Sequence, residues 1–181
     1  WLEETDSTNL VCRRMAAEGA QEGLVVLARE QTAGRGRMDR SWSSPEGQGV
    51  WLSVLLRPAL QPEDAPLITF ACALAMTKAV REVTGLDARI KWPNDIYWRD
   101  KKIAGILIEN ELQGKYIMRS IIGVGLNVNQ DVFFSDAPNP VSLKQILGVT
   151  VNCEELLIKI LHGIVASYRL LEENFDKMSG T

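Results

Sequence analysis

Apolar positions along the chain follow two rhythms, and the switches between them mark the elements. Asp6-Ser7-Thr8-Asn9 precedes Leu10, Val11, Met15 and Ala16 among helix-forming residues, which predicts a helix over 8–18 closed by Gly19. Leu24-Val25-Val26-Leu27-Ala28 has the length and branching of a buried strand. Residues 50–56 alternate as a strand, with Trp51, Ser53 and Leu55 on one face and Val50, Leu52, Val54 and Leu56 on the other. From Pro62 to Thr84 the period is helical, with Leu67, Phe70, Leu74, Thr77, Val80 and Val83 as the apolar stripe. Strands follow at 89–92, 96–98, 102–109 and 116–128, with hairpin turns expected at Asp100-Lys101 and Gln113-Gly114. A last helix runs from Glu154 to Glu173, its stripe formed by Leu157, Ile160, Leu161, Ile164, Val165, Tyr168 and Leu171 and its start capped by Asn152 with Glu155. Helices outside and hairpin-linked strands in the middle predict an α+β fold, a mixed, largely antiparallel central sheet flanked by helices.

One long stretch, Gly34 to Gly49, carries no period and reads as a loop, the usual home of function in a compact domain. Within it, Gly34-Arg35-Gly36-Arg37-Met38-Asp39-Arg40-Ser41-Trp42 sets three arginines among glycines and ends on an aromatic. Guanidinium groups hold phosphates and carboxylates through paired donors, and glycines let backbone N–H groups approach an anion. A terminal aromatic can stack on a purine. The plain alternative is a solvated basic loop.

Three further clusters carry chemistry. Lys91-Trp92-Pro93-Asn94-Asp95 brings a lysine, an amide and a carboxylate to a strand junction, where Lys91 suits a phosphate and Asp95 a Mg²⁺ ion or a ribose hydroxyl. A turn with a solvated Lys–Asp pair is the alternative. Lys102 enters the apolar run Ile103-Ala104-Gly105-Ile106-Leu107, a place where a buried charge needs an anionic partner, unless it is an edge-strand lysine that discourages aggregation. Gly123-Val124-Gly125-Leu126-Asn127-Val128-Asn129 puts two glycines and two amides on one strand face, open to a ligand or packed under a helix.

Bulk properties narrow these options. The 181 residues fit one domain, and a net charge of −3 argues against a nucleic-acid-binding module. There is no run of about 18 apolar residues, and nothing at Trp1 resembles a signal peptide. Cys12, Cys72 and Cys153 are odd in number and far apart, so a reducing, cytoplasmic setting is expected. His162 is the one histidine and lies on the last helix, which leaves no His/Cys metal set and no Ser-His-Asp order. Chemistry by positioning and charge stabilisation remains, and it suits adenylation better than hydrolysis.

Together and in this order, the segments resemble the catalytic domain of the biotin–protein ligases. Ser7-Thr8-Asn9 matches that family's Ser-Thr-Asn start, and Gln31 with Gly34 to Trp42 matches its Gln and its Gly-Arg-Gly-Arg-x-Gly-Arg-x-Trp loop. Lys91 to Asp95, Lys102 to Leu107 and Gly123 to Asn127 match its Lys-Trp-Pro-Asn-Asp, Lys-Ile-Ala-Gly-Ile-Leu and Gly-x-Gly-x-Asn. The resemblance implies the fold shared by class II aminoacyl-tRNA synthetases and biotin ligases, and a two-step reaction. Biotin is activated by ATP with Mg²⁺ to biotinyl-5′-AMP, then passed to a lysine on the biotin carrier domain of a carboxylase.

Carried over position by position, Ser7, Thr8, Asn9 and Gln31 read the ureido end of biotin, and Arg35, Gly36 and Arg37 cover the ligand. Arg37 and Arg40 hold phosphates, with Trp42 against the adenine. Lys102, beside Gly105, holds the biotin carboxyl and its neighbouring phosphate and, with Arg37, is the implied catalytic pair. Lys91, Asn94 and Asp95 serve phosphate and Mg²⁺, and Asn127 the adenine. Trp51 is an addition from its strand face, an apolar wall for biotin. Asp39 departs from the pattern, which has glycine there, and is expected to pair with Arg37 or Arg40.

The whole span 1–181 reads as the catalytic domain, without the N-terminal DNA-binding and C-terminal β-barrel domains some relatives carry, so no DNA binding is expected. No membrane association is expected either, and the resemblance leaves room for a homodimer. The rival readings are a lipoate or octanoate ligase or transferase of the same fold, and a non-catalytic biotin-binding regulator.

Overall fold

The computed structural model describes residues 1–134 and 137–179, with side chains as far as Asn174. Its elements are β1 (Leu2–Thr5), α1 (Thr8–Ala17), β2 (Val25–Gln31), β3 (Gly49–Leu56), α2 (Ala65–Thr84), β4 (Arg89–Lys91), β5 (Asp95–Trp98), β6 (Lys101–Gln113), β7 (Tyr116–Asn127), α3 (Leu143–Leu147) and α4 (Cys153–Ser179). The strands form one seven-stranded sheet in the order β1-β2-β3-β7-β6-β5-β4. β1 and β2 run parallel, and the other neighbours are antiparallel. This is the mixed, largely antiparallel sheet that the hairpin spacing implies.

The alternation on β3 sorts the two faces. Val50, Leu52, Val54 and Leu56 join Ile68, Cys72, Met76 and Val80 of α2 and Leu156, Ile160 and Ile164 of α4 in the main core. Leu55 points the other way, into a smaller cluster with Cys12 and Ala16 of α1, Val26 and Ile121. With α2, α3 and α4 packed into the main core and only α1 on the other face, part of that second face stays open, and the candidate site occupies it.

Several expectations need correction. β1 and α3 were not predicted: four and five residues give too little pattern to register. The β5–β6 turn is Arg99-Asp100, with Arg99 at φ +55°, and the β6–β7 turn is Gly114-Lys115. On α2 the large residues Leu67, Phe70 and Leu74 are exposed, while Ile68, Ala71, Cys72, Ala75, Met76, Ala79 and Val80 are buried. The buried face is built largely from small side chains because α4 packs close against it. A Cβ placed on Gly163 would lie 2.9 Å from that of Ala75. On α4, Leu156 is buried where Val165 was expected, and Asn152 Oδ1 caps the helix by accepting from the backbone N–H of Glu154 and Glu155. Among the described residues, no helix is long and apolar enough to cross a membrane.

Candidate active site

Cross-strand register writes the floor of the site. Trp51 of β3 pairs with Gly125 of β7, which pairs with Gly105 of β6, which pairs with Asp95 of β5. In the next row Ser53 pairs with Gly123, and Gly123 with Leu107. Three glycines thus lie together on the α1 face, where side chains would otherwise fill the space. Asn9 stands directly over Gly123, and the Trp42 indole covers Gly125 and Gly105. A Cβ at Gly125 would come 2.5 Å from Trp42 Nε1 and one at Gly105 3.1 Å from the indole ring, so alanine at either would push the ring away.

Lys102 reaches the same face through a bulge. Simple alternation would point it with Ala104 and Ile106 into the main core. Tyr97 pairs with Lys102 and Ile96 with Ala104, leaving Ile103 as an extra residue on β6. Ile103 and Ala104 are then both buried in the core, and Lys102 joins Gly105 on the cavity side. Its Nζ lies 2.8 Å from Asp95 Oδ1 and 5.3 Å from the centre of the Trp42 ring. The lysine and aspartate side chains are 13% and 22% exposed, so the pair is mostly withdrawn from water, where its attraction is strong.

The arginine loop closes on itself. Trp42 N–H donates to Gly34 O at 2.8 Å and Gly36 N–H to Arg40 O at 2.7 Å. Gly34 has no room for a side chain, because a Cβ would meet Trp42 O and Ser44 Oγ. Between the two closures, Met38 and Asp39 take φ of +55° and +57°. The expected ion pair of Asp39 with Arg37 or Arg40 does not form: Asp39 is exposed and has no hydrogen-bond or ion-pair partner among the described residues. Its backbone explains it better, since aspartate is among the few non-glycine residues that tolerate the left-handed region. Arg37 Nη1 donates to Asn94 Oδ1 at 2.9 Å, tying the loop to the β4–β5 turn. Asn94 in turn holds β6, donating from Nδ2 to Ile106 O and accepting Ile106 N–H on its carbonyl.

The other end of the cavity is a neutral hydrogen-bonded chain. Gln31 Oε1 accepts from Thr8 N–H at 2.8 Å and Thr8 Oγ1 at 3.0 Å, and Gln31 Nε2 donates to Ser44 Oγ at 2.8 Å. Ser53 Oγ lies 2.8 Å from Thr8 Oγ1 and 2.5 Å from Asn9 Oδ1. Such linked groups fix one another's orientation, which is how a buried site presents a set donor–acceptor pattern.

Ser7, Thr8, Asn9, Gln31, Arg35, Gly36, Arg37, Arg40, Trp42, Asn94, Asp95, Lys102 and Gly105 therefore line one cavity. Three expected residues lie outside its lining. Trp51 is 1% exposed on the same face, and its Nε1 donates to Pro45 O beneath the loop. Lys91 sits over the Tyr97 ring, 4.5 Å from its centre, at the sheet edge. Asn127 is buried, and its Oδ1 accepts from Gln130 Nε2 at 3.0 Å. Sequence reasoning missed Ser44 and Ser53, which carry no motif, although the β3 alternation already placed Ser53 among large apolar residues facing α1. It also missed Ala137 and Pro138, which join the lining because Lys102 exchanges backbone bonds with Asn139 and Val141.

Comparison with known proteins agrees with this geometry. The model of the biotin/lipoate A/B protein ligase family matches residues 1–127. The chain is 39% identical over 168 residues to the bifunctional ligase/repressor BirA of Bacillus subtilis, covering 90% of this chain and 51% of that one. It is 37% identical to the biotin–[acetyl-CoA-carboxylase] ligase of Paracoccus denitrificans, covering 86% of this chain and 67% of that one. The biotin protein ligase of Aquifex aeolicus in complex with biotin and ATP superposes with a TM-score of 0.81 at 32% identity, over 96% of this chain and 71% of that one. The ligase of Leishmania major in complex with biotinyl-5-AMP superposes at 0.77 with 30% identity, over 97% and 78%. The chain spans about half the length of the first BirA relatives it matches. With the family model covering most of its length and the same segments building one cavity, the chain belongs to the biotin/lipoate A/B protein ligase family.

Proposed function

We propose that this chain carries the catalytic site of a ligase that activates biotin with ATP and transfers it to a lysine of a biotin carrier domain. The observation that carries the reading is the position of Lys102. It stands in one cavity with a neutral hydrogen-bonding chain, Thr8, Asn9 and Gln31, and with the arginines of a closing loop, Arg37 and Arg40. That is the sequence of environments met by an acid with a ureido ring about to be joined to a nucleotide: a polar ureido ring, then a carboxylate, then phosphates.

In the first step a carboxylate oxygen of biotin attacks the α-phosphorus of ATP, and the bond from that phosphorus to its bridging oxygen breaks, releasing pyrophosphate. In the second, the acceptor amine attacks the acyl carbon of the anhydride, loses a proton, and AMP leaves. Both substrates of the first step are anions, so fixed cations must offset their repulsion. Lys102 holds the carboxylate against the phosphate, Arg37 and Arg40 hold the phosphates, Arg35 and Gly36 cover the ligand, and Trp42 lies against the adenine. Ser7, Thr8, Asn9 and Gln31 read the ureido ring. Lys91, Trp51 and Asn127 have no direct role in this reading, because none lines the cavity.

Mg²⁺ suits the site as the ion that accompanies the triphosphate. Among the described residues Asp95 is the one carboxylate in the lining, and no group of three or more His, Cys, Asp or Glu is placed to hold a metal. An ion that keeps most of its water and takes one carboxylate plus phosphate oxygens matches that donor set. When bound, it neutralises phosphate charge.

The test is pyrophosphate release on incubation with ATP, Mg²⁺ and biotin, with lipoate in parallel and a biotin carrier domain as acceptor. Biotin-dependent release and labelling of the carrier lysine are expected. Release with lipoate alone would move the chain to the lipoate branch of the family, and release with neither would end the enzyme reading. Lys102→Ala is expected to fold normally and to lower the adenylation rate at least about a hundredfold, the usual cost of one charge-stabilising donor.

A further inference from the structure

Outside the motifs, one carboxylate joins three elements of the site. Glu109 lies on β6 in the row Leu55–Ile121–Glu109, on the cavity face, and its side chain is 18% exposed. Its Oε2 accepts from Asn9 Nδ2 at 2.9 Å. Its Oε1 faces two guanidinium groups, Arg13 Nη2 of α1 at 2.5 Å and Arg35 Nη1 of the arginine loop at 3.3 Å. One anion between two cations leaves the trio with a net positive charge.

We propose that Glu109 is a positioning residue for biotin recognition, which latches Arg35 of the closing loop over the neutral end of the cavity and fixes the Asn9 amide beneath it. The proposal rests on the biotin reading above and adds a residue to it. The first half of the argument is directional. With Nδ2 committed to Glu109, Asn9 turns its Oδ1 to Ser53 Oγ, and Ser53 adjoins Thr8, which donates to Gln31. A single carboxylate at the end of this chain therefore sets which atoms donate and which accept where a ureido ring would lie. The second half is mechanical. The loop from Gly34 to Trp42 is held by its own backbone closures, and its arginines tie it to the cavity wall at two separate places, Arg37 to Asn94 and Arg35 to Glu109. Arg37 anchors the loop at the β4–β5 turn and Arg35 anchors it beside α1, so release of Arg35 loosens the loop on the biotin side and leaves the Arg37 anchor in place.

The two halves predict a split between kinetic parameters. Glu109→Gln keeps the size of the side chain and removes the charge. It is expected to raise KM for biotin about tenfold, the scale of one charge-assisted hydrogen bond, while kcat and KM for ATP stay within about twofold. Arg35→Ala removes the same latch together with the cover Arg35 gives the ligand, so it is expected to raise KM for biotin at least as much, and adding Glu109→Gln to it is expected to cost little more. Arg13→Ala, which removes the other guanidinium from the same oxygen, is the control and is expected to leave KM for biotin unchanged. Loop release is read separately by trypsin cleavage after Arg35 and Arg37 without added ligand. Cleavage in Glu109→Gln is expected to be several-fold faster at an unchanged melting temperature.

Wild-type cleavage and wild-type KM for biotin in Glu109→Gln would overturn the proposal. So would an effect of Arg13→Ala equal to that of Glu109→Gln, which would make the carboxylate a plain anchor for α1. Absence of biotin-dependent pyrophosphate release in the unsubstituted chain would overturn the functional reading instead, and the cleavage comparison would still decide whether the latch exists.

Discussion

Asp39 shows how a single residue changes meaning once its backbone is known. Beside three arginines it looks electrostatic, yet its carboxylate is exposed and unpaired among the described residues. Its φ of +57° follows Met38 at +55°, so two consecutive residues sit where L side chains crowd their own carbonyls. Glycine in the family pattern at this position has the same explanation, because glycine takes that region without cost. Asp39→Gly is therefore expected to leave KM for biotin and ATP within about threefold of wild type, any change reflecting loop freedom and not charge. Asp39→Val, β-branched and poorly suited to positive φ, is expected to cost the loop about 1–2 kcal/mol and to raise KM for biotin accordingly. Steady-state kinetics of the two variants check this. If valine behaves like glycine, the backbone account is wrong.

At the scale of elements, much was legible and the rest was lost for definite reasons. β2 follows from its apolar run, β3 from alternation and the β6–β7 hairpin, to within a residue, from its turn, and the motif segments already contained most of the cavity lining. The bulge at Ile103 was not legible. Nothing in Lys102-Ile103-Ala104-Gly105 shows that the strand takes an extra residue, yet only the bulge turns Lys102 and Gly105 to one face. Ser53 and Glu109 stayed hidden because their partners lie 44 and 100 residues away in sequence. On α2 the periodicity of large residues points to the wrong face, because close packing against α4 requires small side chains at the buried positions.

That packing carries its own prediction. Gly163→Ala in α4 should gain about 1 kcal/mol of helix propensity if propensity alone mattered. The added Cβ would lie 2.9 Å from Ala75 Cβ, so the helices must separate and loosen the contacts of Met76 and Ile160 with the sheet. The expected outcome is a lower urea midpoint for Gly163→Ala, recovered in part by adding Ala75→Gly. A raised midpoint in the single variant would show that α2 and α4 are not held at their closest approach.

The whole molecule is a sheet with unequal layers, and its cysteines report on each. Cys72 is fully buried in the large core between the sheet and the α2–α4 pair, and burial pushes its thiol up to about 12. Cys12 is fully buried in the small α1 cluster, and the same desolvation pushes its thiol up to about 11. Both values exceed the ordinary thiol range, so both thiols are protonated and unreactive at neutral pH while folded. The sign of the linkage follows. The unfolded chain ionises first as pH rises past about 9, so stability present below that point is lost progressively toward pH 11 to 12. At neutral pH, labelling of either cysteine requires opening, and the two layers should not open equally. The α1 cluster buries few side chains, so it can detach at lower cost than the main core. Pulsed alkylation read by mass spectrometry is expected to modify Cys12 well before Cys72. Because the cavity is roofed by the start of α1 at Ser7, Thr8 and Asn9, saturating biotin should slow Cys12 labelling in proportion to ligand occupancy. Cys72 should slow only to the extent that global unfolding carries its labelling. Equal labelling rates for the two, unchanged by biotin, would mean that the layers unfold as one unit and that the site does not draw its ligand sensitivity from α1.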